Sequence, residues 1–418
     1  MTRGPRSLLF LWPLLVHCGK DGPAAPGPGG DGAARPDGPR TTRDGGAGDA
    51  AVRRDGQPPL RDGSAKDAIL ATDARFMDGA AGAGGALVPV FVAQGYMGRT
   101  TISCDDGRTW IADRSDDAAL RCFSGGIDCD HNGGRAMGVT IADGWIVATW
   151  GWGEGNSVRR SRDGRTFSRV LDGTVFAGIE ASAGRLAAIA EMPRVSLDQG
   201  ASWQTAPGPM GFSGNIRATG GGAGGPFVAA GGDTVGQVMV SDDGLAWRRP
   251  AELPAGCGGG VTPDGIAVVG GRIVITHDSG RVCLSTDGGN RFSTTVVDMR
   301  FSSSVLWTGS ELLAWGRLAD ASPVLARSAD GRAWTIAPVV ATSESGADAA
   351  VPKIEAVARS ASGTFVTVEG EWDQWYERQR FYRSTDGTTW RALPRSAFVG
   401  SHPIRFLSAG LVDRSACP

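Results

Sequence analysis

A short motif, Ser-x-Asp-x-Gly-x-x-Trp/Phe with the residue before glycine missing in some copies, occurs seven times along this chain. Its serine and aspartate oxygens can accept hydrogen bonds from nearby backbone N–H groups, and its glycine can adopt positive φ. Each copy therefore predicts a tight turn between two strands, and the aromatic residue starts the second strand. We call each copy an Asp turn; the seven begin at Ser103, Ser161, Ser196, Ser241, Ser285, Ser328 and Ser384.

Short β-type runs separated by turns repeat between the Asp turns. In the clearest unit, one strand starts at Phe176, a second at Leu186 and a third at Pro193, just before the Asp turn at Ser196. Dividing residues 87–418 by seven gives about 47 residues per unit, which fits a four-stranded propeller blade. We therefore predict an all-β fold, a seven-bladed β-propeller of four-stranded antiparallel blades over residues 87–418.

The two ends of this region predict how the ring closes. The run that opens at Val88 looks like a second strand with no first strand before it, and Ile404–Gly410 looks like a first strand with no blade of its own. Pairing them would complete blade one and leave no free sheet edge.

The Asp turns resemble the Asp box of the bacterial neuraminidase repeat family, and the resemblance covers residues 87–418. It implies a sialidase-like propeller in which these turns join the third and fourth strands, lie away from the ligand and act as scaffold. A calcium loop at Asp105-Asp106-Gly107 would need spaced acidic ligands and a closing glutamate, which are missing. We expect no metal and no cofactor.

The N-terminal residues predict a leader and a tether. Residues 1–18 read as a lipoprotein-type signal peptide, because Arg3 and Arg6 precede an apolar run too short to span a bilayer. The run ends at Cys18 in a segment that resembles a bacterial lipobox apart from His17. Lipidation of Cys18 would give an outer-membrane lipoprotein, whereas ordinary cleavage would give a secreted protein. Residues 19–86 are rich in Gly, Pro, Asp and Ala, which predicts a disordered tether.

Six cysteines follow Cys18, and an even number suits an oxidising, extracytoplasmic compartment. The closing strand should bring Cys417 to the face that holds Cys104, so a bond between them would clasp the ring. Sequence alone leaves the connectivity open. The disulfide candidates are Cys122 and Cys129 in one loop, Cys257 and Cys283 around two strands, and Cys104 and Cys417.

The spacing of the Asp turns predicts where a ligand binds. Successive serines are 58, 35, 45, 44, 43 and 56 residues apart. We assign the extra residues of the long first and last steps to loops on the face opposite the Asp turns, where blades seven, one and two adjoin. Their aromatic and charged side chains either bind a ligand or only cap the barrel mouth. The predicted ligand-binding residues are Asp130, His131, Trp150, Trp152, Glu371, Trp372, Trp375 and Tyr376.

The resemblance makes a sialidase the first enzyme to consider. That family needs an Arg-Ile-Pro segment, an arginine triad, a tyrosine nucleophile with a glutamate partner, and an aspartate acid/base. This chain has no Arg-Ile-Pro segment, and no triad can be assigned. Another glycosidase could use paired carboxylates such as Asp130 and Glu371. We therefore predict a binding or scaffold propeller, with a sialidase-like glycoside hydrolase as the alternative.

Net charge limits the partners. The formal charge of −2 gives no electrostatic footprint for nucleic acid. We expect a monomer that binds carbohydrate or protein and contacts membrane only through the N-terminal lipid.

Overall fold

The computed structural model describes residues 86–95, 99–114, 135–151, 156–173, 175–222, 224–232, 237–257, 263–302, 305–369, 380–397 and 404–417. The predicted signal peptide with Cys18, and the tether up to residue 85, lie outside these ranges. No helix within them is long and apolar enough to cross a membrane.

The first four blades contain the following strands. Blade one has β1 (Leu87–Gly95), β2 (Thr100–Ser103) and β3 (Ile111–Arg114), and is completed by the last strand of the chain. Blade two has β4 (Arg135–Ala142), β5 (Trp145–Gly151), β6 (Ser157–Ser161) and β7 (Ser168–Asp172). Blade three has β8 (Gly178–Ser182), β9 (Arg185–Ile189), β10 (Arg194–Ser196) and β11 (Gln204–Thr205). Blade four has β12 (Ile216–Gly220), β13 (Phe227–Gly231) and β14 (Gln237–Ser241).

The remaining blades follow in chain order. Blade five has β15 (Pro263–Val269), β16 (Arg272–His277), β17 (Arg281–Ser285) and β18 (Ser293–Val296). Blade six has β19 (Arg300–Phe301), β20 (Leu306–Trp307), β21 (Leu312–Arg317), β22 (Pro323–Ser328) and β23 (Thr335–Pro338). Blade seven has β24 (Val340–Thr342), β25 (Asp348–Ala349), β26 (Val357–Arg359), β27 (Phe365–Val368), β28 (Phe381–Ser384) and β29 (Thr389–Ala392). The last strand, β30 (Ile404–Asp413), returns to blade one.

These sheets form a seven-bladed β-propeller, which confirms the predicted fold. Closure is also confirmed: β30 pairs antiparallel with β1, from Leu87 opposite Asp413 to Gln94 opposite Phe406. Because β30 packs against both β26 and β4, blades seven, one and two are neighbours.

Individual blades depart from the four-strand plan. In blade four, the fourth strand is reduced to a bridge between Val240 and Arg248. In blade seven, β24 pairs in parallel with β29 and carries β25 on its outer edge. The added length between the last two Asp turns therefore includes this outer hairpin. The sequence analysis assigned the extra residues to loops, and this part of them instead forms paired strands at the outer edge of the blade.

The second strands form the core of the blades. Every residue of β13, Phe227–Gly231, is buried, because neighbouring blades cover both faces of the sheet. Aromatic rings join some blades: Trp315 of blade six lies edge-on to Trp390 of blade seven, with ring centroids 6.0 Å apart. The ring of Trp110 in blade one stacks on Phe381 of blade seven at 3.9 Å.

The Asp turns share one hydrogen-bond pattern. In the sixth, the Ser328 Oγ accepts the Gly331 N–H at 2.8 Å and donates to Asp330 Oδ1 at 3.2 Å. The same carboxylate oxygen accepts the N–H of Ala333 at 3.0 Å. The serine, aspartate and glycine thus satisfy one another and hold the turn closed.

Glycine is required in these turns for two reasons. Gly331 has φ +79°, and a Cβ there would lie 3.1 Å from Val274 of blade five. Gly107 has φ +83°, and a Cβ there would lie 2.5 Å from Val366 of blade seven. Each of these turns therefore needs left-handed backbone and fits closely against the preceding blade.

Arginines also connect successive blades around the Asp-turn face. At six blade interfaces, a guanidinium donates to a backbone carbonyl of the Asp turn on the next blade. The pairs are Arg160 with Gln199, Arg185 with Asp242, Arg248 with Gly288, Arg272 with Ala329, Arg327 with Asp386, and Arg383 with Asp106.

Two disulfides are present among the described residues. Cys104 bonds to Cys417 with a Cα–Cα distance of 5.8 Å, which is the pairing expected for a ring clasp. Cys257 bonds to Cys283 with a Cα–Cα distance of 5.7 Å. Cys122 and Cys129 lie outside the described residues.

Replacing Asp330 by alanine should lower the free energy of unfolding by about 1–3 kcal/mol, because the turn loses its acceptor for two backbone N–H groups and for Ser328. Ligand affinity should be unchanged, since the turn is scaffold. Denaturant unfolding measures the first quantity. Asp298→Ala, at an exposed position outside the Asp turns, is the control, and an equal effect of both substitutions would contradict the structural role of the turn.

Candidate binding site in the central channel

The first strands of the blades surround a central cavity of about 970 Å³. All seven blades contribute side chains or backbone to its wall. One contact residue per blade, from blade one to blade seven, is Phe406, Val139, Glu180, Arg217, Asp264, Leu306 and Val357.

The cavity lies toward the face opposite the Asp turns. Each first strand runs from that face to the Asp-turn face. The wall includes Phe176 and Phe212, which precede the first strands β8 and β12, and Glu191, which follows the second strand β9. These positions are at the ends of strands remote from the Asp turns. The cavity is therefore on the side that the sequence predicts for a ligand.

Glu180 is a partly buried acid of this wall. The Thr219 hydroxyl of blade four donates a 2.6 Å hydrogen bond to its Oε1. Burial raises the pKa of Glu180 to about 7, although the bond from Thr219 opposes the shift. The side chain can therefore exchange a proton near neutral pH.

Asp264 is the second acid of the wall. Its Oδ2 is buried and has no hydrogen-bond partner among the described residues. Burial, then the negative charges of Asp278 and Glu355, raise the pKa of Asp264 to about 8, against an opposing effect of Lys353. The Lys353 ammonium is itself 2.7 Å from Glu355. The surroundings therefore favour the protonated form of Asp264, and a cation bound beside it would favour the ionised form.

The wall also carries basic and apolar groups. Arg217 and Arg405 lie on the first strands of blades four and one, and each interacts with other groups of the protein. Apolar side chains, among them Phe176, Phe212 and Leu306, lie between the charged residues. Such a mixed surface can hold a ligand that presents both polar and apolar groups.

Trp150 is the predicted site residue that falls within the described ranges. It lies in β5 and not in a loop, and only 2% of it is exposed. Its ring packs with Ala136 and Ala148 against Val139 and Phe406, both of which line the cavity. In this structure Trp150 therefore supports the wall from behind.

The other predicted ligand-binding residues lie outside the described part of the chain. Gly151 and Glu369 flank two of the segments that hold them. Gly151 ends the second strand of blade two and Glu369 follows that of blade seven, both at strand ends remote from the Asp turns. The residues outside the described ranges are Asp130, His131, Trp152, Glu371, Trp372, Trp375 and Tyr376.

The sequence analysis missed Glu180 and Asp264. Both stand in first strands, within the short runs Gly-Ile-Glu-Ala and Pro-Asp-Gly-Ile. A single acid among small and apolar residues of a first strand is the signal that could have indicated them, because the first strand is the innermost strand of its blade and borders the channel.

Comparisons with known proteins bear on the fold. No family model matches the chain, and no curated protein matches it. Among solved structures, a protein from Lactobacillus plantarum is 10% identical, covers 78% of this chain and 100% of its own, and gives a TM-score of 0.51. Apo AztD from Citrobacter koseri is 10% identical, with coverages of 78% and 98% and a TM-score of 0.47. YCF48 from Cyanidioschyzon merolae is 16% identical, with coverages of 64% and 87% and a TM-score of 0.43. At these identities the similarity concerns the fold alone.

The raised pKa of Asp264 predicts a pH-dependent stability. Folding favours its protonated form, so this contribution is complete below the unfolded-state pKa of about 3.9 and is lost as pH rises through about 8. At pH 9, Asp264→Asn should therefore unfold with a free energy about 1–3 kcal/mol higher than the wild type, and the difference should vanish near pH 4. Urea unfolding across this range tests the prediction, with Asp298→Asn as control. A difference that does not change with pH would contradict it.

Proposed function

We propose that this protein is an extracytoplasmic binding propeller that holds a protein or carbohydrate ligand in its central channel. The observation that carries the proposal is the cavity of about 970 Å³, to which all seven blades contribute and which combines partly buried acids, arginines and apolar side chains. A cavity of this size and composition suits ligand binding. The Asp turns, on the other face, serve the scaffold.

The proposal includes the cellular compartment of the propeller and its attachment to a membrane. The signal-peptide pattern before Cys18 and the composition of residues 19–86 support export and attachment through an N-terminal lipid. The Cys104–Cys417 and Cys257–Cys283 bonds are consistent with an oxidising compartment. Resemblance of the Asp turns to the bacterial neuraminidase repeat supports the same kind of extracytoplasmic propeller.

A glycosidase is the second candidate, because two carboxyl groups with shifted pKa values share one cavity. A glycosidase pair works when one group is protonated and the other is ionised, so the protein must separate their pKa values. Here the pKa values of Glu180 and Asp264 are both raised, to about 7 and about 8. Neither group is held ionised at neutral pH, and this favours binding over hydrolysis.

Among the described residues, the environment of Tyr382 does not suit a sialidase nucleophile. Its hydroxyl donates to Glu369 at 3.3 Å, which is the residue pairing that a tyrosine nucleophile would need. However, Tyr382 packs within blade seven, and burial followed by the charge of Glu369 raises its pKa to about 12. A nucleophile needs the opposite shift.

A ligand screen followed by one substitution tests the proposal. The purified protein is applied to a glycan array and a peptide library. Hits are titrated against Arg217→Ala and against the control Arg272→Ala, a partly buried position at the Asp-turn face, away from the channel. We expect Arg217→Ala to weaken binding at least tenfold and the control to have no effect. Equal affinities, or turnover of a glycan hit, would contradict the proposal.

The loop residues predicted from sequence extend the proposed site to the mouth of the channel. Alanine at Trp152 and Trp372 should then weaken binding of the same hits, whereas alanine at Val296 on the outer strand of blade five should not. Unchanged affinity of both tryptophan variants would confine the site to the channel wall.

A further inference from the structure

The Asp264 side of the channel brings carboxyl groups together that the described residues do not fully satisfy. The buried Asp264 Oδ2 has no partner among them, and two further acids, Asp278 and Glu355, act on the same carboxyl group. The cation that acts on Asp264 is Lys353, and it forms an ion pair with Glu355. A buried acid without a donor costs free energy, which a positively charged ligand group would recover.

The other charged groups of the wall do not change this conclusion. Arg217 and Arg405 already interact within the protein. Glu180 takes its hydrogen bond from Thr219, and Glu191 adds another acid. Asp264 is therefore the acid of the wall that we expect to bind a positively charged group of a ligand.

The surface beside Asp264 indicates what carries that cation. Ile266 follows on the same strand, and Val305, Leu306 and Val357 line the wall contributed by blades six and seven. Aliphatic side chains of this kind cover a hydrocarbon stem better than they satisfy the hydroxyl groups of a sugar. A lysine side chain combines a four-carbon stem with a terminal ammonium group.

We propose that the channel recognises a lysine side chain of a peptide or protein ligand, with its ammonium group on the Asp264 carboxylate and its stem against Ile266, Leu306 and Val357. This inference rests on the proposed binding function and specifies the ligand class.

The test uses n-butylammonium as a side-chain probe and n-butanol as its uncharged counterpart. Saturation-transfer NMR titrations are run at pH 9, where Asp264 is mostly ionised and an alkyl amine is still mostly protonated. We expect n-butylammonium to bind at least tenfold more tightly than n-butanol. Asp264→Asn should remove this preference. Asp320→Asn, at an exposed position in the loop between β21 and β22, should keep it.

A second comparison identifies the source of the amine. An acetylated Gly-Lys-Gly amide is titrated beside the same peptide acetylated at Nζ and beside glucosamine. We expect only the unmodified peptide to bind in a manner that depends on Asp264. Glucosamine binding at least as tightly would make the ligand an amino sugar and overturn the peptide assignment.

Failure of this inference can be separated from failure of the proposed function. If screen hits depend on Arg217 while n-butylammonium binds no better than n-butanol, the lysine assignment is wrong and the binding channel stands. If neither the hits nor the probe depends on channel residues, both proposals are wrong.

Discussion

Removal of the Cys104–Cys417 bond should lower the free energy of unfolding by about 2–5 kcal/mol. The two cysteines are 313 residues apart, so the bond restricts almost the whole propeller in the unfolded chain. In the folded protein it fixes the end of β30 to the first Asp turn, beside the pairing of β1 with β30. Guanidinium unfolding of the Cys104→Ala and Cys417→Ala double variant measures the loss.

The second disulfide provides the matched control. Cys257 and Cys283 are 26 residues apart, and the chain-entropy model makes the longer loop worth about 2 kcal/mol more. The Cys257→Ala and Cys283→Ala double variant should therefore lose less stability. This comparison is made after subtracting the cost of truncating its two more deeply buried side chains. A loss below about 1 kcal/mol on removing Cys104–Cys417 would show that strand pairing alone holds the ring closed.

Asp106→Ala should lower the free energy of unfolding by about 2–4 kcal/mol. Its carboxylate joins blade one to blade seven by accepting hydrogen bonds from the hydroxyls of Ser360 at 2.9 Å, Ser362 at 2.8 Å and Thr364 at 2.5 Å. Arg383 donates from Nη2 at 2.6 Å. The substitution leaves all four donors without this acceptor.

The pH dependence of this loss is a second readout. Burial opposes ionisation of Asp106, but the bonds from Thr364, Ser362, Arg383 and Ser360 prevail and lower its pKa to about 2. The contribution is therefore present above the unfolded pKa of about 3.9 and is lost as pH falls through about 2. The stability gap between wild type and Asp106→Ala should close over that interval.

Gln199→Ala is the control for Asp106→Ala. Gln199 occupies the same position in the third Asp turn, with φ +55° against +62° for Asp106, so both substitutions place alanine on similar backbone. Its side chain makes a 3.5 Å contact with Asp143. Equal losses from the two substitutions would mean that the backbone, and not the inter-blade bonds, explains the effect.

The fold was predictable because its information is local and repeated. An Asp turn needs only its own serine, aspartate and glycine, as Ser328, Asp330 and Gly331 illustrate, so counting the copies gave the number of blades. The bonds of Asp106 to blade seven were not predictable, because its partners lie more than 250 residues along the chain.

The site was predicted less well, for a geometric reason. Loop length pointed to the face opposite the Asp turns, and the cavity lies toward that face. It gave no information about which residues of a first strand face the ring axis, so Glu180 and Asp264 were missed. The same reasoning took Trp150 for a loop residue, whereas it is a strand residue that packs behind Phe406.

The most direct test of a binding channel is a crystal structure of the protein with a ligand recovered from the peptide and glycan screen. We predict ligand density within the ring, in contact with Arg217 and Asp264 and on the side away from the Asp turns. Density on the Asp-turn face, or on the outer strands with the channel unoccupied, would contradict the proposed function.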